Sequence, residues 1–268
     1  MRYPGRVAGS VILAVVLMAG GAMAQSTSKS SSSASSVGGA AEVRLGGFVF
    51  ETGARLAFEI VHEGDVDCFK SKVVVERLRL VGADGVPVFE EKYAPGVPAE
   101  TWIGKVHLVD PSGAPLPMAE YEVVIATSVG SFVAEVEVAA TSGLYGLGRY
   151  SAAASVCGYT LRVYRLISEL DAGASLTLRV GDRLMIELEG NATTGYAWAN
   201  TIEIEYAVLR EAQDVEYRSA SPLIGAPGVF LFRYTAVDVG PQMLRFAYQR
   251  AWESVDPLKV VLFTVNVS

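Results

Sequence analysis

The chain of 268 residues is long enough for one large domain or two of ordinary size. It carries 22 basic and 29 acidic residues, which gives a formal net charge of −7. Binding to nucleic acid depends on clustered Lys and Arg that neutralise phosphates. The surplus of acidic residues therefore argues against nucleic acid as the partner.

Residues 1–24 have the composition of a secretory signal peptide. Two arginines precede the apolar run VILAVVLM at 11–18, and an A-M-A cleavage signal follows. The run is too short to span a bilayer, and no later segment reaches 18 uninterrupted apolar residues. We therefore expect an exported protein, periplasmic or secreted, that is not inserted in a membrane.

Residues 25–41 are rich in Ser and nearly free of large apolar side chains, so we expect a flexible tether. The two cysteines, Cys68 and Cys157, lie far apart in the chain. In an exported protein they could form one disulfide, and the alternative is a pair of buried free thiols. Their spacing does not fit a metal site.

Residues 42–140 consist of about seven short alternating runs separated by turn signals such as Asp-Pro-Ser-Gly. This pattern predicts an antiparallel β-sandwich of the immunoglobulin-like type. Tyr121 stands where a tyrosine-corner residue would stand. The next segment, 141–159, is small and aromatic without a clear period, and we interpret it as a linker or a packed segment between domains.

Residues 160–268 contain a second set of strand patterns, and no stretch has a convincing helical period. The predicted fold class is therefore all-β, with two immunoglobulin-like antiparallel sandwiches in tandem after the signal peptide. The role of the first sandwich is not indicated by any motif.

Three segments of the second half have an unusual composition for turns. They are NATTGYAW at 191–198, GAPGVFLF at 225–232 and RAWE at 250–253. An exposed Trp beside an Arg is typical of a binding hot spot. Loops that join alternate strands of a sandwich emerge at the same end, so all three segments are expected at one edge.

In this order and spacing, the three segments resemble the signature loops of the chagasin family of cysteine-protease inhibitors. The resemblance covers about residues 160–268 and includes the lead-in VGDRLMIELEG. It implies a small immunoglobulin-like domain whose loops form a three-part wedge in the active-site cleft of papain-like proteases. The first segment would approach the catalytic Cys–His pair, and the other two would contact the two walls of the cleft.

The resemblance also implies the residues that bind the protease. They are Asn191, Thr193, Thr194, Gly195, Tyr196, Gly225, Gly228, Arg250 and Trp252. The sequence departs from the family at two positions, where Ala192 and Ala251 stand in place of the usual prolines. Each change loosens the unbound loop by about 0.4–1 kcal/mol of chain entropy, so we expect somewhat weaker binding than in a typical member.

Several of these aromatic residues have a simpler interpretation. Alternation along a strand favours core packing for Trp198, Phe230 and Phe232, and leaves Tyr196 open between core and contact surface. Trp252 is interpreted as contact surface because it follows Arg250 in a loop.

The sequence thus predicts a reversible, tight-binding inhibitor of papain-like cysteine proteases that acts as a monomer. The alternative is an adhesion or assembly scaffold of the cell envelope. An enzyme is not expected, because the chain has only two histidines, His62 and His107, and offers no recognisable catalytic constellation. For the same reason we expect no metal and no cofactor.

Overall fold

The computed structural model describes residues 41–63, 72–140, 155–156, 158–202 and 208–268. The predicted signal peptide, almost all of the tether and most of the linker lie outside these residues, and so do Cys68 and Cys157. The choice between a disulfide and two free thiols therefore lies outside the described part of the chain.

The described residues of the first half form seven strands, and each corresponds to one of the alternating runs in the sequence. They are β1 (Ala41–Glu51), β2 (Arg55–His62), β3 (Val74–Gly82), β4 (Pro87–Pro98), β5 (Ile103–His107), β6 (Glu120–Thr127) and β7 (Gly130–Ala139).

Nine further strands lie in the part of the second half that the structure describes, and the chain is predominantly β as predicted. They are β8 (Ser155–Val156), β9 (Tyr159–Ser168), β10 (Ser175–Leu178), β11 (Arg183–Gly190), β12 (Ala197–Asn200), β13 (Leu209–Ser219), β14 (Gly228–Ala236), β15 (Gly240–Gln249) and β16 (Lys259–Val267). The helical residues described are three short 3-10 turns, at Ala99–Thr101, Glu169–Asp171 and Ala192–Thr194. None of the described segments is a helix long and apolar enough to cross a bilayer.

The strands within the described ranges form three sheets. A five-stranded sheet has the order β1-β7-β6-β3-β4, and a four-stranded sheet has the order β10-β16-β15-β12. The seven-stranded sheet runs β13-β14-β11-β9-β2-β5, with β8 paired to β9. Strands from both halves of the chain thus belong to one continuous sheet.

The two hydrophobic cores lie on the same face of this long sheet. Leu161 and Val163 of β9 belong to the core under the five-stranded sheet, whereas Ile167 of the same strand belongs to the core under the four-stranded sheet. Because alternate residues of a strand point to one face, β9 contributes to both cores. The domain limits inferred from the sequence stay a prediction, and β9 is the element that both packing units share.

The opposite face of the long sheet is concave. It carries a third apolar cluster that includes Tyr164, Met185 and Leu231. On the same face, Lys105 of β5 forms an ion pair with Glu187 of β11, across β2 and β9. Three strand spacings amount to about 14 Å in a flat sheet. Arg218 of β13 also donates to the carbonyl oxygen of Thr101 beside β5, so the two edges of the sheet approach each other and the sheet curls toward this face.

The strand pairing differs from the prediction of purely antiparallel sandwiches. Three pairs are parallel: β1 with β7, β10 with β16, and β9 with β11. In each pair the chain crosses to other strands before it returns, and a parallel neighbour requires such a crossover. The Tyr121 hydroxyl donates to the carbonyl oxygen of Pro117 at 3.1 Å, which is the bond expected of a tyrosine corner.

Candidate functional site

Three loops emerge at one end of the two packed sheets of the second half. The first loop, 191–196, joins β11 to β12; the second loop, 220–227, joins β13 to β14; the third loop, 250–258, joins β15 to β16. Strand register sets this arrangement, because Gly190 is paired with Gly228 and Ala197 with Gln249. The sequence prediction that the three segments share one edge is therefore confirmed.

The first loop is a 3-10 turn held by its own side chains. Asn191 caps the turn, and its Oδ1 accepts hydrogen bonds from the backbone N–H of Thr193 at 3.1 Å and from the Thr193 hydroxyl at 2.6 Å. The Thr194 hydroxyl donates to the carbonyl oxygen of Asn191 at 2.6 Å. Both threonine side chains are exposed, so the tip of this loop is small, uncharged and internally bonded.

Gly195 ends the turn for two separate reasons. Its φ of +81° lies in the left-handed region, which favours glycine. A Cβ atom at this position would also lie 2.6 Å from the ring of Trp252 in the third loop. The indole therefore packs directly against the backbone of the first loop.

The second loop is bound to the first by one side-chain contact. The Asn191 amide nitrogen donates to the carbonyl oxygen of Gly225 at 2.9 Å. Gly225 has a φ of +84°, and Gly228 stands where a Cβ would lie 2.2 Å from the carbonyl oxygen of Arg218. Within the loop, Leu223 and Ile224 are exposed at 74% and 103% of their reference areas, so two large apolar side chains face solvent at its tip.

The third loop is joined to the first by Arg250. Its Nε donates to the carbonyl oxygen of Thr194 at 3.1 Å, and its guanidinium lies 4.5 Å from the ring centroid of Tyr196. A hydrogen bond to Glu253 raises the pKa of Arg250 above its ordinary value, so the guanidinium stays charged. Trp252 remains 71% exposed beside it.

A buried tyrosine supports the first loop from below. The Tyr248 hydroxyl accepts a hydrogen bond from the backbone N–H of Asn191 at 2.7 Å and donates to the carbonyl oxygen of Asn191 at 3.3 Å. Its ring lies 5.3 Å from that of Tyr196 and 5.1 Å from that of Trp198. The cap residue is thus fixed on both sides of its backbone.

The structure brings all nine sequence-predicted site residues into this edge. Trp198, Phe230 and Phe232 are buried, as predicted, and Trp198 donates from Nε1 to the carbonyl oxygen of Glu189 at 2.9 Å. Tyr196 is partly buried and covered on one side by Arg250, so it serves both packing and surface.

Sequence reasoning missed Tyr248 and the apolar pair Leu223 and Ile224. The pair had a signal in the sequence, because two large apolar residues next to Pro222 and Gly225 are unusual for a turn. The hydroxyl contact of Tyr248 had none, since it depends on how β11 and β15, which belong to different sheets, pack across a common core.

Among the described residues, no group of three or more His, Cys, Asp or Glu is arranged to hold a metal ion. His107 lies in the first half, with Nε2 3.1 Å from the carbonyl oxygen of Gly53, and His62 packs on Tyr159. Neither is part of the three-loop edge, where the described contacts are made by amides, hydroxyls, aromatic rings and one ion pair.

Comparison with known proteins addresses the same part of the chain. The pattern described as chagasin family peptidase inhibitor matches residues 177–267. Chagasin of Trypanosoma cruzi is 30% identical over 89 residues, which are 32% of this chain and 81% of that protein. The chain belongs to the chagasin family.

Two further proteins match a similar portion. Amoebiasin-2 of Entamoeba histolytica is 27% identical over 117 residues, which are 42% of this chain and 94% of that protein. The crystal structure of a cysteine protease inhibitor from Entamoeba histolytica is 25% identical, with a TM-score of 0.34, over 38% of this chain and 94% of that one. Because the chagasin family consists of peptidase inhibitors, the expectation that the chain is not an enzyme is confirmed.

Proposed function

We propose that the protein is an exported, reversible, tight-binding inhibitor of papain-like cysteine proteases. The observation that carries this proposal is the cross-bonding of the three loops at one edge. Asn191 joins the first loop to the second, and Arg250 and Trp252 join the third loop to the first. Membership of the chagasin family supplies the class of target, a peptidase.

The cross-bonded loops favour binding because little order has to be gained on docking. Each flexible side chain that is fixed only on association costs about 0.5–1.5 kcal/mol. In this edge Asn191, Thr193 and Arg250 already have bonding partners in the free protein. Because folding has already ordered these side chains, docking into a cleft should require little further loss of conformational entropy.

The same geometry explains why the loop would block the protease and would not be cleaved as a substrate. Cleavage requires a peptide carbonyl held in near-attack geometry beside the catalytic thiol. In the first loop the Asn191 carbonyl accepts hydrogen bonds from both Thr194 and Tyr248, and the following residues form a 3-10 turn. A backbone held in this way resists the extended conformation of a substrate, so the loop fills the cleft without being cut.

The two outer loops offer apolar contact on either side of the small central tip. Ile224 and Trp252 are the most exposed large apolar residues of the second and third loops. Exposed apolar side chains next to polar ones mark a binding surface, and Trp beside Arg is favoured at hot spots. We assign these two side chains to the two walls of the protease cleft, over an interface of about 800 Å² on each partner.

Export to the periplasm or the medium rests on residues 1–24, and a monomer is proposed because one copy carries all three loops. No cofactor enters the proposed mechanism, which is steric.

Titration of active papain with the full chain tests the proposal. We expect a stoichiometric loss of activity that is regained on dilution, with the inhibitor chain uncleaved afterwards. Thr194→Arg places a bulky charge on the central tip and should weaken inhibition, whereas Met118→Arg makes the same change of charge at an exposed site of the first half. Full papain activity at micromolar inhibitor would contradict the proposal and favour the scaffold alternative.

A further inference from the structure

The concave face of the long sheet holds a line of charged side chains that joins the two halves of the chain. Arg233 of β14 donates from Nε and Nη2 to Glu59 Oε1 of β2, at 2.9 and 2.6 Å. Both residues are buried, with exposures of 2% and 6%. The ion pair spans β11 and β9, so it binds the inhibitory half to the first half in the middle of the curled sheet.

The line of charges continues outward to the edge of the sheet. Arg233 also donates to Glu216 Oε2 at 2.6 Å, and Glu216 Oε1 accepts from Nε of Arg218 at 2.6 Å. Burial alone would raise the pKa of Glu216, but the hydrogen bonds from Arg218 and Arg233 outweigh it and lower that pKa. Glu216 thus stays ionised between two cations and couples them.

Arg218 closes the line on the first half. Its Nη1 donates to the carbonyl oxygen of Thr101 at 2.8 Å, across 117 positions of sequence. Thr101 ends the 3-10 turn just before β5, and β5 and β13 are the two opposite edges of the seven-stranded sheet. One guanidinium therefore bridges the two edges at the open side of the curl.

Arg218 also stands at the base of the second loop. Ser219, the next residue, is the last of β13 and pairs with Gly228, the first of β14. The carbonyl oxygen of Arg218 lies so close to Gly228 that a Cβ there would be 2.2 Å away. The tip residues Leu223 and Ile224 thus project from a base whose outer strand is held by Thr101.

We infer that Arg218 is a positioning residue, through which the first half of the chain sets the reach of the Leu223–Ile224 tip into a protease cleft. This inference rests on the proposed function and assigns a role to residues 41–140. Glu216 of the same strand orients the guanidinium, and its hydrogen bond to the carbonyl of Thr101 holds β13 close to β5. Without that bridge the second loop is free to splay outward, and its apolar tip loses its fixed distance from the first loop.

A double-mutant cycle on the full chain tests the inference. Arg218→Ala should raise the inhibition constant for papain by about three- to tenfold, the equivalent of the ordering cost of one or two loop side chains. In a Leu223→Ala/Ile224→Ala background the same change should have little further effect, because both apolar side chains of the tip that Arg218 positions are gone. Arg77→Ala removes a comparable surface ion pair with Glu90 and should leave inhibition unchanged.

Hydrogen exchange of the free protein supplies a readout that does not depend on any protease. Arg218→Ala should speed exchange in 220–227, where the Ala220 N–H donates to Pro227 and the Ala226 N–H to Leu223, and leave 250–258 as in the wild type. Equal costs of Arg218→Ala in both backgrounds would overturn the inference, and so would unchanged exchange in 220–227. Failure of the wild type to inhibit papain would overturn the proposed function instead, while the exchange result would still decide the role of Arg218.

Discussion

The side-chain amide of Asn191 donates a hydrogen bond to the carbonyl oxygen of Gly225, so the cap of one loop is also the tie to the next. The other atom of the same amide, Oδ1, accepts from Thr193 and holds the 3-10 turn. Asn191 thus caps the 3-10 turn through its oxygen and binds the second loop through its nitrogen. The two roles can be separated by replacing the amide with a carboxylate, which keeps the acceptor oxygen and lacks the N–H donor.

Asn191→Asp is expected to weaken inhibition while folding is preserved. Aspartate caps a helical turn about as well as asparagine, so the turn at 192–194 should survive. Its second oxygen would face the Gly225 carbonyl without a proton to share, which should cost about 1–3 kcal/mol in the joined state of the loops. Inhibition constants for papain together with thermal melts check this. Asn191→Ala serves as the comparison, since it removes both tasks, and an Asp variant as potent as the wild type would contradict the assignment.

Gly195→Ala should lower affinity by displacing Trp252. Alanine at a φ of +81° costs about 1–2 kcal/mol, and its methyl group would lie 2.6 Å from the indole. Gly113→Ala is the matched control, because Gly113 has a φ of +88° but nothing within 4 Å of the added carbon. Both variants should lose stability in urea titrations, and only Gly195→Ala should lose inhibition. Equal inhibition by the two variants would show that the indole is not set by the first loop.

Ala192→Pro should tighten inhibition by about two- to fivefold. Position 192 is the first residue of the 3-10 turn, where the fixed φ of proline is suitable. Asn191, with φ of −134° and ψ of 98°, is extended and lies outside the α region that a following proline disfavours. The gain corresponds to about 0.4–1 kcal/mol of chain entropy. Ala226→Pro is the contrasting variant, because it removes an N–H that donates to Leu223, and it should weaken inhibition. A weaker Ala192→Pro variant would mean that the present turn cannot accept the ring.

Asp182 should make the protein less stable as pH rises, which is the opposite of the usual effect of a carboxyl group. Burial raises its pKa to about 6 from 3.8, even though its carboxylate accepts a hydrogen bond from the Arg179 N–H. Because the folded pKa lies above the unfolded one, the contribution is fully present below about pH 4 and is lost as pH rises through 6. Asp182→Asn, which keeps an acceptor, should therefore be more stable than the wild type at pH 8, by at most about 3 kcal/mol, and not at pH 4.

Urea titrations of both proteins between pH 4 and pH 8 measure this difference. Asp110→Asn is a control of opposite sign, because hydrogen bonds led by that from Ser112 lower the pKa of Asp110. Asp110→Asn should be less stable than the wild type at neutral pH, and the difference in stability should decrease as the pH is lowered. If the Asp182→Asn variant had the same free energy of unfolding as the wild type at every pH, the role assigned to the burial of Asp182 would be refuted.

Most strands could be predicted because alternation of apolar residues reports directly on a half-buried strand. The exceptions are the two-residue β8, which lies in the segment interpreted as a linker, and β13, LREAQDVEYRS, whose side chains are nearly all polar or exposed. Strand β13 is an edge strand with two register shifts, so one backbone side and most of its surface face solvent. Its pattern therefore carried no apolar period to read.

The three-loop edge could be predicted because its residues form short sequence motifs at fixed spacing. The curl of the long sheet could not be predicted. Glu59 and Arg233 occupy positions that alternate with core residues, and such positions normally face solvent. They are buried because strands 174 positions apart in sequence approach across a concave face. Local periodicity contains no information on a contact of that range.

The shared strand β9 has a consequence for anyone who wishes to shorten this protein to a minimal inhibitor. The residues that match the family begin at 177, so a truncation there deletes β9 and turns β11 into a bare sheet margin. A truncation at 160 retains β9 but strips it of β2 and leaves Leu161 and Val163 without their core. Either truncated product would expose an unpaired strand edge, through which copies could associate. A minimal inhibitor therefore needs a redesigned edge strand and cannot be obtained by truncation alone.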